Sequence, residues 1–140
     1  MTARRRIDVH QHIVPPAYAA WLHAKGASDA AGRALPEWSA EGALAVMEQH
    51  DIATAILSVS TPGVRLDPSP RGADEARAKA RELNEFSAQV VRDHPDRFGF
   101  FATLTLPDVD GALAELAYAF DVLGAAGVIF CVGGLSGGFT

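Results

Sequence analysis

The strongest constraint on the fold is the alternation of short apolar segments with longer segments of helical periodicity. Four short segments predict strands, at 7–12, 52–60, 98–106 and 127–132. Strands that alternate with helices predict right-handed βαβ units and an α/β fold with a parallel sheet. Periodicity alone leaves two architectures open, an open doubly wound sheet and part of a (β/α)8 barrel. In both, ligands bind where the strands end and the following loops begin.

Local signals predict the bounds of two helices. Ser39 is a suitable N-cap for a helix over 40–50. A longer helix follows the loop 67–72 and continues to about Asp93. It ends there because proline disfavours helical backbone in the residue before it, and His94-Pro95 follows. Between these signals and the first strand, the segment 17–36 accommodates at most one short helix.

A third helix is predicted before the last strand. Asp108 or Asp110 supplies its N-cap, and Gly124 ends it. Its apolar residues recur at helical spacing. They are Leu113, Leu116, Phe120 and Leu123.

Composition excludes several classes of function. Apolar residues make up 49% of the chain and charged residues 21%, as in soluble globular proteins. The net charge of −5 argues against nucleic acid as a partner. No run of about 18 uncharged apolar residues is present, so no membrane span is predicted. A lone cysteine, Cys131, and the lack of a visible export signal predict a cytoplasmic location.

Two histidines close the first predicted strand. His10 and His12 are two residues apart, so both imidazoles project from the same side of a strand. At its C-terminal end they face the side where sites form in α/β folds. Neutral imidazole is a zinc ligand, so this pattern indicates a metal site. The alternative that stays open is a structural pair of histidines at the strand end that binds no metal.

The first strand also carries a resemblance to a known family. Ile7-Asp-Val-His-Gln-His-Ile-Val-Pro-Pro16 resembles the first-strand signature of the amidohydrolase superfamily, in the branch of aminocarboxymuconate-semialdehyde decarboxylase and related aromatic-acid decarboxylases. Asp8-x-His10-x-His12 is its most specific part. The resemblance extends from Arg6 to about Gly134. Further similarities lie in Leu57 to Gly63, in the helix of Asn84 leading into His94-Pro95-Asp96-Arg97-Phe98, and in Leu106 to Gly124.

The resemblance implies a partial (β/α)8 TIM barrel that binds one divalent ion, usually zinc, with His10 and His12 as its first two ligands. It implies a metal-dependent decarboxylase (carboxy-lyase) or a hydrolase. The substrate would be a small carboxylated or aromatic-derived molecule, attacked by a metal-bound hydroxide. Thr61, in the loop after the second strand, is expected to contact this substrate. Arg65 is expected to pair with a substrate carboxylate, with a solvated loop arginine as the alternative. No catalytic residue is assigned.

The remaining histidines have structural interpretations. His50 and His94 end the helices before the second and third strands, so they are expected at the opposite, N-terminal face of the sheet. His23 follows the first strand on the site side and is expected to be a surface or packing residue. Cys131 is expected to be a small buried hydrophobe.

Length limits what 140 residues can form. A complete barrel has eight strands and about 250 residues, whereas four strands are predicted here. Residues 1–134 are therefore expected to form the N-terminal half of an amidohydrolase-like barrel, followed by a glycine-rich tail at 135–140. The resemblance places the remaining ligands and a catalytic histidine after later strands. The chain is thus expected to be truncated and inactive alone.

Two further expectations follow from a half barrel. Its outer strands have unpaired backbone groups, which predicts a homo-oligomer or self-association through the open sheet edges. The alternative function is that of a non-catalytic α/β fragment or a small binding domain.

Overall fold

The structure, a computed structural model, describes residues 6–30 and 32–130. Short strands alternate with helices along this part of the chain. In order, the elements are β1 (Arg6–Ile13), α1 (Pro16–Ala24), β2 (Asp29–Ala30), β3 (Arg33–Ala34), α2 (Ala40–Gln49), β4 (Ile52–Val59), α3 (Pro70–Asp93), β5 (Phe98–Ala102), α4 (Val109–Asp121) and β6 (Gly127–Val128).

Within the described residues the main sheet has four strands in the order β1-β4-β5-β6, and each neighbouring pair is parallel. Helices connect successive strands, as the predicted βαβ units require. The predicted α/β class with about four parallel strands is therefore confirmed. The antiparallel pair of β2 with β3 was not predicted, because each of these strands has two residues and no periodicity.

Two predicted strand segments differ from the observed ones. The third was expected to reach Leu106, but β5 ends at Ala102. The reason is that the backbone of Thr103 bonds to the side chain of Asn84 instead of a neighbouring strand. The fourth is described as β6 alone, and its predicted end, Cys131 and the tail 135–140 lie outside the described residues.

Helix caps explain most of the observed boundaries. The Ser39 side chain accepts a hydrogen bond from the Gly42 backbone at the start of α2, and Asp108 does the same for Gly111 at the start of α4. α3 begins at Pro70, within the segment predicted to be a loop, because proline is well suited to the first helical position. Gly124, predicted to end α4, has a positive φ of 72°.

The core lies between the sheet and the helices. One face of α3 packs against this core. The small and apolar residues of α3 recur every three to four positions, which is the spacing that places them on one face of a helix. The main buried side chains of the other elements are Ile13, Tyr18, Leu22, Met47, Leu57, Phe98 and Phe100. None of the helices within the described ranges combines the length and apolar character that a membrane span requires.

α4 buries three small residues and Glu115 and leaves large apolar residues exposed. Its buried positions are Gly111, Ala112, Glu115 and Ala119. Val109 and Leu113 are 58% and 59% exposed, and Phe120 is 44% exposed. Two of the four residues whose spacing predicted this helix, Leu113 and Phe120, therefore lie on an outward stripe, which we call the α4 stripe (Val109, Leu113, Phe120).

Candidate metal centre

β1 carries an irregularity in the segment that contains the first of its two histidines. Its pairing with β4 shifts register between Asp8 and Gln11, so an extra residue lies in β1 there. The backbone N–H of His10 donates to Asp8 Oδ1 at 3.0 Å. The Asp8 carboxylate therefore stabilises the backbone of β1 at His10, the residue that carries the first imidazole.

The two imidazoles converge at the end of β1. Nε2 of His10 lies 3.0 Å from Nε2 of His12, and the ring planes are nearly perpendicular, at 80°. Two nitrogens bound at about 2.0–2.1 Å to a tetrahedral zinc ion are roughly 3.3 Å apart. Both side chains are exposed, so an ion can reach them. The donor pair therefore fits a divalent cation in distance, chemistry and access.

A buried serine lies behind the second imidazole. Nδ1 of His12 is 3.2 Å from Ser58 Oγ and 3.4 Å from the Ser58 carbonyl oxygen. Ser58 is 1% exposed and is the register partner of His12 on β4. The sequence pattern did not single out Ser58, because its proximity depends on how two strands 46 residues apart align.

The loop after β4 holds both residues predicted to contact substrate. Thr61 and Arg65 are half-buried, and Val64 between them is 4% exposed. The Tyr18 hydroxyl donates to the Gly63 carbonyl at 2.7 Å, which ties the loop to α1. The loop is thus held at the same edge of the sheet as the histidines, since it follows β4 and β4 is parallel to β1.

The guanidinium of Arg65 donates hydrogen bonds to the backbone of the segment that leads into α3. Its Nε donates to the Asp67 carbonyl at 2.9 Å, and its Nη2 donates to the Ser69 carbonyl at 3.1 Å. These bonds hold the half-buried guanidinium against its own loop, and its pairing with a substrate carboxylate stays a prediction. Among the described residues, two buried side-chain polar atoms have no hydrogen-bond partner, Gln11 Oε1 and Arg65 Nη1.

Hydrogen bonds also fix the charge of the carboxylate beside Arg65. The backbone N–H and the hydroxyl of Ser69 both donate to Asp67 at 2.8 Å. These bonds lower the pKa of Asp67, with a smaller contribution from the positive charge of Arg65. Asp67 therefore stays ionised and keeps this turn of the loop closed.

The other histidines do not join the pair. His50 and His94 cap the C-termini of α2 and α3, before β4 and β5, as predicted for the N-terminal face. His23 is exposed in the last turn of α1. Within residues 6–30 and 32–130, no group of three or more potential metal-ligating side chains is found. The described residues thus supply a two-ligand arrangement.

Comparison with known proteins decides the family. The amidohydrolase family model matches residues 7–133. The chain belongs to the amidohydrolase family. The match includes the first-strand histidines as well as the strands and helices behind them, so the predicted family is confirmed.

Relatives of this amidohydrolase chain include fungal decarboxylases. It is 40% identical over 126 residues to decarboxylase yanB of Aspergillus niger, covering 88% of this chain and 33% of that protein. It is 37% identical over 124 residues to 6-methylsalicylic acid decarboxylase of Penicillium expansum, covering 88% and 37%. The chain therefore spans about a third of the length of these relatives.

A solved amidohydrolase structure adds information on the fold and the metal. Dihydroxybenzoic acid decarboxylase of Polaromonas sp. JS666, solved with bound manganese and the inhibitor 2-nitroresorcinol, superposes with a TM-score of 0.65 at 27% identity. The alignment covers 88% of this chain and 37% of that one. Such neighbours are TIM-barrel amidohydrolases, which supports a divalent metal and the predicted partial barrel.

Proposed function

We propose that this chain forms the N-terminal portion of the active site of a metal-dependent decarboxylase for aromatic carboxylates. The convergence of His10 and His12 at the end of β1 carries the proposal. A hydrolase would use a similar metal site, but the relatives described above are decarboxylases. Decarboxylation is therefore the favoured reaction. A non-catalytic role has no comparable support.

In this proposal His10 and His12 would hold one divalent cation, and the convergence of their Nε2 atoms to hydrogen-bond distance supports this role. We favour zinc because imidazole nitrogen is one of its preferred ligands, and manganese is the alternative given by the Polaromonas structure. When bound, such an ion supplies Lewis-acid polarisation of substrate oxygens. The remaining ligands and a catalytic residue would come from a further part of the barrel.

Thr61 and Arg65 are proposed to bind the substrate. Both lie on the loop after β4, and Val64 and Tyr18 hold this loop in place. The guanidinium of Arg65 has one donor, Nη1, that no described residue pairs, and an unpaired buried donor calls for a partner. A substrate carboxylate would pair with Nη1 once the loop uncovers this buried atom, while the other nitrogens keep their loop carbonyls. Thr61 would then contact the ring or its substituents.

The isolated chain is also proposed to self-associate, with no role for nucleic acid or membrane. β1 and β6 are the outer strands of the main sheet. Ile7 and Val9 on β1 are 64% and 59% exposed, and the α4 stripe is a further exposed apolar surface. Open edges next to apolar surface favour pairing with another chain.

A segment exchange tests the proposed reaction. Residues 7–133 replace the matching part of the Penicillium expansum 6-methylsalicylic acid decarboxylase, and release of carbon dioxide from 6-methylsalicylate is measured. We expect metal-dependent activity that the His10→Ala exchange variant loses and the His23→Ala variant keeps. A folded, metal-loaded exchange protein without decarboxylation would contradict the proposal.

A further inference from the structure

The buried Ser58 is placed to decide which nitrogen of His12 carries the proton. Its hydroxyl lies 3.2 Å from Nδ1 and its carbonyl oxygen 3.4 Å from the same atom. The opposite nitrogen, Nε2, lies 3.0 Å from Nε2 of His10. His12 is therefore held between a serine on one side and an imidazole on the other.

The chemistry of a neutral imidazole makes this placement matter. One ring nitrogen is protonated and the other carries a lone pair, and the partner of one nitrogen sets the state of the other. A cation can bind Nε2 of His12 only if the proton is on Nδ1. Ser58 presents two oxygens to Nδ1, and its carbonyl can act only as an acceptor. The carbonyl and the closer hydroxyl oxygen together accept from Nδ1–H and so favour the tautomer that leaves Nε2 free, and loss of the hydroxyl alone weakens this preference.

We propose that Ser58 is a positioning residue that holds His12 in its Nδ1-protonated tautomer and aims Nε2 at the cation. This inference rests on the proposed metal site. In the metal-free chain the same arrangement makes the Nε2–H of His10 the donor to Nε2 of His12. Ser58 thus prepares the pair before a cation arrives.

Burial and strand pairing make the role of Ser58 specific. Ser58 is 1% exposed, so bulk water does not reach the hydroxyl to replace it. Its position is fixed by the β1 and β4 ladder, in which His12 pairs with Ser58. Removal of a group that hydrogen-bonds the other ring nitrogen of a metal-bound histidine typically lowers metal affinity about 10–100-fold. Because the carbonyl oxygen remains in Ser58→Ala, we expect the lower end, about a 10-fold loss.

The first experiment reads the tautomer without metal. Long-range ¹H–¹⁵N NMR of the imidazoles is recorded at about pH 8, where free imidazole is neutral. His12 should be protonated at Nδ1 in the wild type and should shift toward the Nε2-protonated form in Ser58→Ala. The matched control is Ser87→Ala, which removes another buried hydroxyl, bonded to the Leu83 carbonyl in α3.

The second experiment measures the dissociation constants of zinc and manganese by competition with a chelator. Ser58→Ala should weaken binding about 10-fold, and Ser87→Ala should leave it unchanged. Unchanged His12 tautomer and unchanged affinity in Ser58→Ala would overturn the inference. If the wild type binds no metal, the proposed function fails, whereas the metal-free tautomer still tests Ser58 separately.

Discussion

Asn84 and Glu115, on two different helices, form a buried hydrogen bond of 2.9 Å. Asn84 is 1% exposed and also bonds the N–H and carbonyl of Thr103, just after β5. Glu115 is 4% exposed and pairs with Arg81 at 2.9 Å. This interlock joins α3, α4 and the end of β5. It fixes the helices against the edge of the sheet that carries the site.

Removing the Asn84 amide should destabilise the fold strongly. Asn84→Ala leaves both Thr103 backbone groups without their partner and deprives Glu115 of a donor, because no water reaches them. We expect a loss of about 2–3 kcal/mol in the free energy of unfolding, measured by urea denaturation. Gln89→Ala removes an exposed amide from the same helix and should cost less than about 0.5 kcal/mol. Equal midpoints for the two variants would refute the interlock.

The stability of the α3 and α4 junction should depend on pH through Asp108. Arg77 donates to its two carboxylate oxygens at 2.6 and 2.8 Å. This bond, with that from Gly111, lowers the pKa of Asp108 to about 2 from its ordinary 3.8. A carboxyl group whose pKa is lower in the folded state stabilises the fold while it is ionised. This contribution is complete at pH values above the pKa of the group in the unfolded state, and it disappears as the pH falls toward the pKa in the folded state.

Arg77→Gln should therefore cost more stability at about pH 6 than at about pH 2.5. The comparison is made by urea denaturation across this range, at constant ionic strength. Arg71→Gln removes the same charge from an exposed position of α3 and serves as the control. A stability difference between Arg77→Gln and wild type that does not shrink in acid would show that the ion pair does not hold the pKa of Asp108 down.

Self-association of the 140-residue chain is the third prediction. Light scattering after size-exclusion chromatography should give a mass above 14.8 kDa. Leu113→Lys should shift the population toward the monomer, because it places a charge in the α4 stripe. Ala114→Lys adds the same charge at an exposed position outside the stripe and should not. A well-folded monomeric wild type with a cooperative melt would rule out this prediction.

Local signals predicted the elements of the fold well. Ser39 and Asp108 cap α2 and α4 as expected. An N-cap hydrogen bond joins residues only three positions apart, so it can be predicted from the local sequence. β4 follows its apolar run to within one residue. The end of β5 was not predicted correctly, because the Thr103 backbone bonds to the side chain of Asn84, which is 19 residues away in sequence.

The candidate site was predictable only where it lies on one strand. His10 and His12 were found from their spacing, since side chains two residues apart share a face of a strand. Ser58 and the unpaired Nη1 of Arg65 depend on strand register and loop conformation, which no local pattern encodes. The family resemblance supplied the kind of chemistry, and the geometry supplied the supporting residues.

Titration of zinc into the metal-free chain, with a competing chelator, is the most direct test of the paired imidazoles as a metal site. We predict stoichiometric, saturable binding that His10→Ala and His12→Ala each abolish or weaken at least about 10-fold, since each removes one of two ligands. His23→Ala, which removes an exposed histidine of α1, should bind like the wild type. The paired imidazoles would be contradicted as a metal site if the chain bound zinc no more tightly than the buffer does. The same would hold if His10→Ala bound zinc with the affinity of the wild type.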